Sequence, residues 1–156
     1  MRWLIIASFI LALLLSILPL PFDARAWRPE FIALLVIYWA TYSPEYFGVF
    51  SAWVCGMITD IILLNALGQS TLGLIVVAYI AHLSYQRMRS YALWKQAMWA
   101  LILVGIYQLF SNWVMGLMGR NIDTIVSLGT AAATAILFPF IVVVLRKIRI
   151  RFRLPS

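Results

Sequence analysis

Acidic residues are scarce in this chain: five among 156, against 12 lysines and arginines and a single histidine. One cysteine, Cys55, excludes an internal disulfide and a cysteine-based metal cluster. The lone histidine, His82, has no HxxxH or HxxE neighbour, so zinc-ligand spacing is missing. Paired carboxylates inside apolar segments, a GxSxG elbow and a Walker-type phosphate loop are also missing. We therefore expect no enzymatic activity, no metal and no cofactor. Charged residues make up 11% of the chain, where soluble domains carry about 25%. Water-facing surface cannot be covered with so little charge, so lipid is the solvent this composition fits.

What is present is apolar length. Hydrophobic residues are 65% of the chain and the mean hydropathy is +0.99. A spanning helix needs about 20 mostly apolar residues to cross a hydrocarbon core of about 30 Å. The runs predict an all-α polytopic protein of about six transmembrane helices, near 3–20, 31–42, 47–64, 71–86, 97–117 and 125–145. A basic tail, 146–156, follows, and one integral membrane domain takes up residues 1–156. Ala24-Arg25-Ala26 looks like a signal-peptidase site. The preceding run is long for a signal, and prolines and charges intervene, so the first helix is expected to be retained. Arg28-Pro29-Glu30 reads as a helix start, with Pro at N1 and an acid in the first turn. Ser43-Pro44-Glu45 repeats that chemistry, which predicts a tight hairpin at 43–46 with Ser43 as N-cap. A loop is expected over 86–96.

Lysine and arginine placement sets orientation. With six spans, Arg2, Arg87, Arg89, Lys95 and the tail bases Arg146, Lys147, Arg149, Arg151 and Arg153 share one side. Arg25, Arg28 and Arg120 lie on the other. Both termini are thus expected in the cytoplasm. The net charge of +7 reads as a membrane anchor on anionic lipid, with no nucleic-acid partner. The aromatics near span ends, among them Trp3, Trp94, Tyr42 and Tyr91, read as interfacial belts.

Polar groups within spans must find partners inside the protein. Asp60 is the one acid well inside a predicted span. It shares a helical face with Gly48, Ala52 and Gly56, four residues apart, a small-residue stripe that admits a close neighbour. Gly68 and Gly73 extend this packing set. Depth counting puts Asp60, Arg28, Gln108 and Asn112 near the outer face, with Gln69, Ser70 and Thr71 at the outer end of the fourth helix, which predicts an outer polar pocket or an intramembrane pair of Asp60 with Arg28 or with the Gln108/Asn112 face. His82 reads as an intramembrane hydrogen-bonding residue.

Several stretches taken together resemble the rod shape-determining MreD family of bacterial inner membranes. They are Arg28-Pro29 before a helix ending in Tyr38-Trp39; Gly48, Gly56, Asp60, Gly68 and Leu72-Gly73; Ala78-Tyr79; Ala92-Leu93-Trp94-Lys95-Gln96-Ala97; and Pro139 before Leu145-Arg146-Lys147. The resemblance implies a non-catalytic, multi-pass scaffold of the cell-elongation machinery that makes side-wall peptidoglycan. It implies a bitopic MreC-type partner and, through it, the actin-like MreB and the RodA/penicillin-binding protein 2 synthase. In fold, that family is similar to the S components of energy-coupling-factor transporters. The alternative reading is therefore a small-solute or lipid-binding transporter subunit with an outward-facing polar pocket.

Overall fold

The computed structural model describes residues 2–18, 31–64, 67–119, 121 and 124–152. Six α-helices make up these residues: α1 (Arg2–Ile17), α2 (Phe31–Tyr42), α3 (Val49–Ile62), α4 (Gln69–Ser90), α5 (Leu93–Leu117) and α6 (Thr124–Arg151). No strand occurs among them.

The fold is organised around α2. Its sequence, FIALLVIYWATY, is apolar all round, and a helix of that kind is stable only where every face is covered. Every residue from Ile32 to Thr41 is buried. Helices α1 and α4 pack on α2, with smaller contacts from α5 and α6. Around this centre the chain runs as successive neighbours, α3 on α4, α4 on α5 and α5 on α6. Trp39 of α2 is fully buried and its indole N–H donates to the Ser8 hydroxyl at 3.1 Å. That hydroxyl donates in turn to the Ile5 carbonyl at 2.7 Å. Phe9 stacks on Phe47 with ring centroids 5.6 Å apart. These contacts fix α1, which otherwise presents exposed Ile6, Ile10, Leu11 and Leu14.

Three boundaries differ from the sequence expectation. The 86–96 loop is mostly helix: α4 runs to Ser90 and α5 begins at Leu93, so the turn is Tyr91-Ala92. Met88 and Gln96 are buried there, and packing overrides the charged, loop-like composition. The basic tail continues α6 as helix to Arg151. Finally, α3 starts at Val49 with Gly48 as its N-cap residue, not at Ser43. The Ser43 N–H continues the α2 ladder to the Trp39 carbonyl at 2.9 Å, which places Ser43 at the end of α2. The chain turns over Pro44–Tyr46 before α3.

Length separates the helices. Leu93–Leu117 and Ile125–Arg151 are long and apolar enough to cross a membrane alone, whereas Arg2–Ile17, Phe31–Tyr42 and Val49–Ile62 are apolar but shorter. Twelve residues of α2 rise only about 18 Å, less than the hydrocarbon thickness of about 30 Å. Enclosure by other helices makes so short an element tolerable, and at its C-terminal end the Thr41 and Tyr42 carbonyls meet Arg89 rather than hydrocarbon. The exterior is apolar, with Phe50, Trp113, Ile136 and Phe140 exposed. Apolar surface on this scale is incompatible with monomeric life in water and suits contact with acyl chains.

Candidate functional site

Polar side chains gather at the two ends of the bundle. At one end, α3 finishes beside the start of α4. Asp60 lies on the last turn of α3 and is completely buried. Its Oδ1 accepts from the Ser70 N–H at 3.0 Å. Its Oδ2 accepts from the Gly68 N–H at 3.1 Å, the Thr71 N–H at 3.3 Å and the Thr71 hydroxyl at 2.8 Å. The opening N–H groups of a helix have no partner within the helix. Here a carboxylate from the neighbouring helix does what an N-cap side chain ordinarily does. Gly68, the N-cap residue of α4, has φ +95°, a left-handed conformation that glycine adopts without cost. The negative charge also faces the positive end of the α4 dipole.

The same end is tied across to α5 and α6. Tyr107 donates its hydroxyl to Ser70 at 3.3 Å, and Gln69 donates its amide to Ser111 at 3.2 Å. Asn112 donates to the Ser127 hydroxyl at 3.2 Å, joining α5 to α6. Asn112 thus bonds α6, while Asp60 bonds the start of α4. Gln108 is half-buried. Arg28 lies outside the described residues, so its place relative to Asp60 is not given.

The glycines divide by role. A Cβ on Gly56 would stand 2.6 Å from the Thr71 Cα, and one on Gly73 would stand 2.6 Å from a Tyr107 ring carbon. These two are points of close helix approach, and Ala52 is fully buried on the Gly56 face. Gly48 and Gly68 have nothing within 4 Å of the same position, and their places are helix starts. His82 lies against Tyr85 with ring centroids 5.8 Å apart. Its Nδ1 is buried with no hydrogen-bond partner among the described residues.

At the opposite end, α2, α4 and α6 finish and α5 begins. Arg89 of α4 donates its Nε to the Thr41 carbonyl at 3.1 Å, and a terminal nitrogen to the Tyr42 carbonyl. Those are carbonyls of the last turn of α2, which a basic side chain characteristically satisfies. Tyr42 donates its hydroxyl to Gln96 Oε1 at 2.7 Å, and Gln96 Nε2 donates to the carbonyls of Met88 at 2.8 Å and Tyr91 at 3.2 Å. One buried glutamine therefore links α2, α4 and α5. Beside it is a cavity of about 550 Å³, whose lining includes Tyr38, Tyr42, Arg89, Gln96, Arg146 and Arg149. Of the basic anchor, Arg146, Lys147 and Arg151 are exposed and Arg149 is buried; Arg153 lies outside the described residues. Sequence reading left Gln96, Arg89 and Tyr42 out of any site. The available signal was a lone amide among bases and aromatics next to a helix start.

The family model for the rod shape-determining protein MreD matches residues 1–148. The chain belongs to the MreD family. A family member, the rod shape-determining protein MreD of Haemophilus influenzae, is 26% identical over 155 residues, covering 99% of this chain and 96% of that protein. No solved structure matches the chain. MreD membership assigns a role in determining rod shape. The Asp60 junction lies within the residues matched to MreD, and so does the lining of the arginine cavity except for Arg149 and Ile150.

Proposed function

We propose that the chain is a non-catalytic, multi-pass scaffold of the bacterial inner membrane, with both termini cytoplasmic, serving side-wall peptidoglycan synthesis. In this reading it binds membrane-spanning partners: a bitopic MreC-type protein and, through it, the actin-like MreB and the RodA/penicillin-binding protein 2 synthase. Family membership across residues 1–148 is the observation that carries it. The architecture supports it. The centre is tightly held, while α3 touches mainly α4 and leaves Phe50, Trp53, Ile58 and Ile61 outward. Such peripheral apolar faces are where another spanning helix gains packing contacts.

A solute-binding subunit built on Asp60 has less support. Four donors already occupy that carboxylate and it is sealed from solvent.

The test is crosslinking in intact rod-shaped cells, mild-detergent purification of the tagged chain, and identification of what accompanies it. A single-span partner at constant ratio is expected. Recovery of the chain alone, with rod shape intact in its absence, contradicts the proposal.

A further inference from the structure

We propose that the cavity where α2, α4, α5 and α6 meet binds a phosphate-bearing anion, the headgroup of an anionic membrane lipid or a soluble phosphate compound. This goes beyond the scaffold reading and does not depend on it.

The cavity volume, about 550 Å³, lies within the range of about 300–1,000 Å³ typical of small-ligand sites. Arg89, Arg146 and Arg149 line it, and among the described residues no acidic side chain does. Cations sharing a concavity with partly apolar walls create a positive potential that draws in anions. The guanidinium fork matches phosphate oxygens, and such charge-assisted bonds are the strong ones. Arg89 lines the cavity while bonding the carbonyls of Thr41 and Tyr42, which carry no formal charge to cancel its own. Arg149 is buried, with the Tyr38 phenol as a hydrogen-bond partner. Arg146 stands exposed at the same cavity.

A simpler reading is that arginines at the C-terminal ends of α4 and α6 only complement helix dipoles. That accounts for bases at these helix ends. It does not account for Arg146 and Arg149 of α6 lining one cavity together with Arg89 of α4, nor for the space between them. The rim carries exposed Leu93 and Ile150, apolar groups suited to the glycerol and acyl region of a lipid. Basic pockets between spanning helices are a recurrent place for anionic headgroups.

The experiment compares the wild type with Arg146→Gln and Lys147→Gln. Both residues are exposed on α6 and each change removes one charge, but only Arg146 lines the cavity. One arm uses phosphatidylcholine nanodiscs titrated with phosphatidylglycerol. The other uses detergent-solubilised chain with inorganic pyrophosphate. Thermal stabilisation and lipid retained per chain, by native mass spectrometry, are the readouts. Arg146→Gln should weaken the effective anion about tenfold, the loss of one charge-assisted bond, while Lys147→Gln behaves as wild type. This pattern with phosphatidylglycerol assigns the lipid, and with pyrophosphate alone it assigns a soluble phosphate. Equal loss in both variants, no response to either probe, or a response only to a glutamate-rich peptide overturns the proposal. Unliganded melting of Arg146→Gln at the wild-type temperature verifies that the fold is intact.

Discussion

Asp60 carries the greatest physical consequence of any single side chain here. A buried carboxylate is costly unless its oxygens are bonded, and four donors from Gly68, Ser70 and Thr71 meet that need. Asp60→Asn keeps the shape but replaces one acceptor with an N–H₂ group that faces donors. The expected loss is about 2–3 kcal/mol, read from thermal unfolding in detergent. An unchanged midpoint would remove the junction from any account of stability. The sequence marked Asp60 as exceptional because it was the one acid deep in an apolar run. Ser70 and Thr71 were legible as polar neighbours at the start of the next helix, but the bonding was not, since three of the four donors are backbone N–H groups, which leave no trace in residue identity.

Between elements, the α3/α4 contact joins packing to polarity. Gly56 lets the α4 backbone approach at Thr71, and one turn later Asp60 reaches the Thr71 N–H and hydroxyl. Gly56→Leu has to displace backbone, because the nearest atom is the Thr71 Cα. Overpacking of this kind costs about 1–3 kcal/mol, and reduced partner recovery and loss of rod shape should accompany it. Gly48→Ala, with open space at the added carbon, should stay within about 0.5 kcal/mol of wild type. Because both contacts converge on Thr71, Gly56→Ala and Asp60→Asn should be non-additive by at least about 0.5 kcal/mol in a double-mutant cycle. Strict additivity would show that the two act separately. At the other end, the helical reading of 86–96 was obscured by charge. Arg87, Arg89 and Lys95 look like a solvated loop, yet Arg89 satisfies the end of α2 and Gln96 bridges three helices.

For the whole molecule, a fully covered α2 lies within an exterior rich in exposed apolar side chains. That inversion of the soluble pattern predicts retention in membranes after alkaline washing and extraction only with detergent. Reporter fusions at the two ends should respond from the same, cytoplasmic compartment. Opposite responses with the first helix retained would contradict the six-span topology. Gross anatomy was legible early, since hydrocarbon imposes length and composition on every spanning segment. The short helices were the exception. Residues 31–42 read as a span of their own, but α2 depends on neighbours to cover its faces and on Arg89 to meet its last carbonyls.

Composition and the spacing of apolar runs determined that the chain is helical, with six helices among the described residues and an apolar exterior, because those properties depend on side-chain transfer energies summed along the chain. Burial of α2 on all sides, coordination of Asp60 by the first turn of α4, and convergence of three arginines on one cavity were decided by tertiary structure alone. Each depends on the distance between groups remote in sequence, and hydrogen bonds and guanidinium clusters act only over a few ångströms.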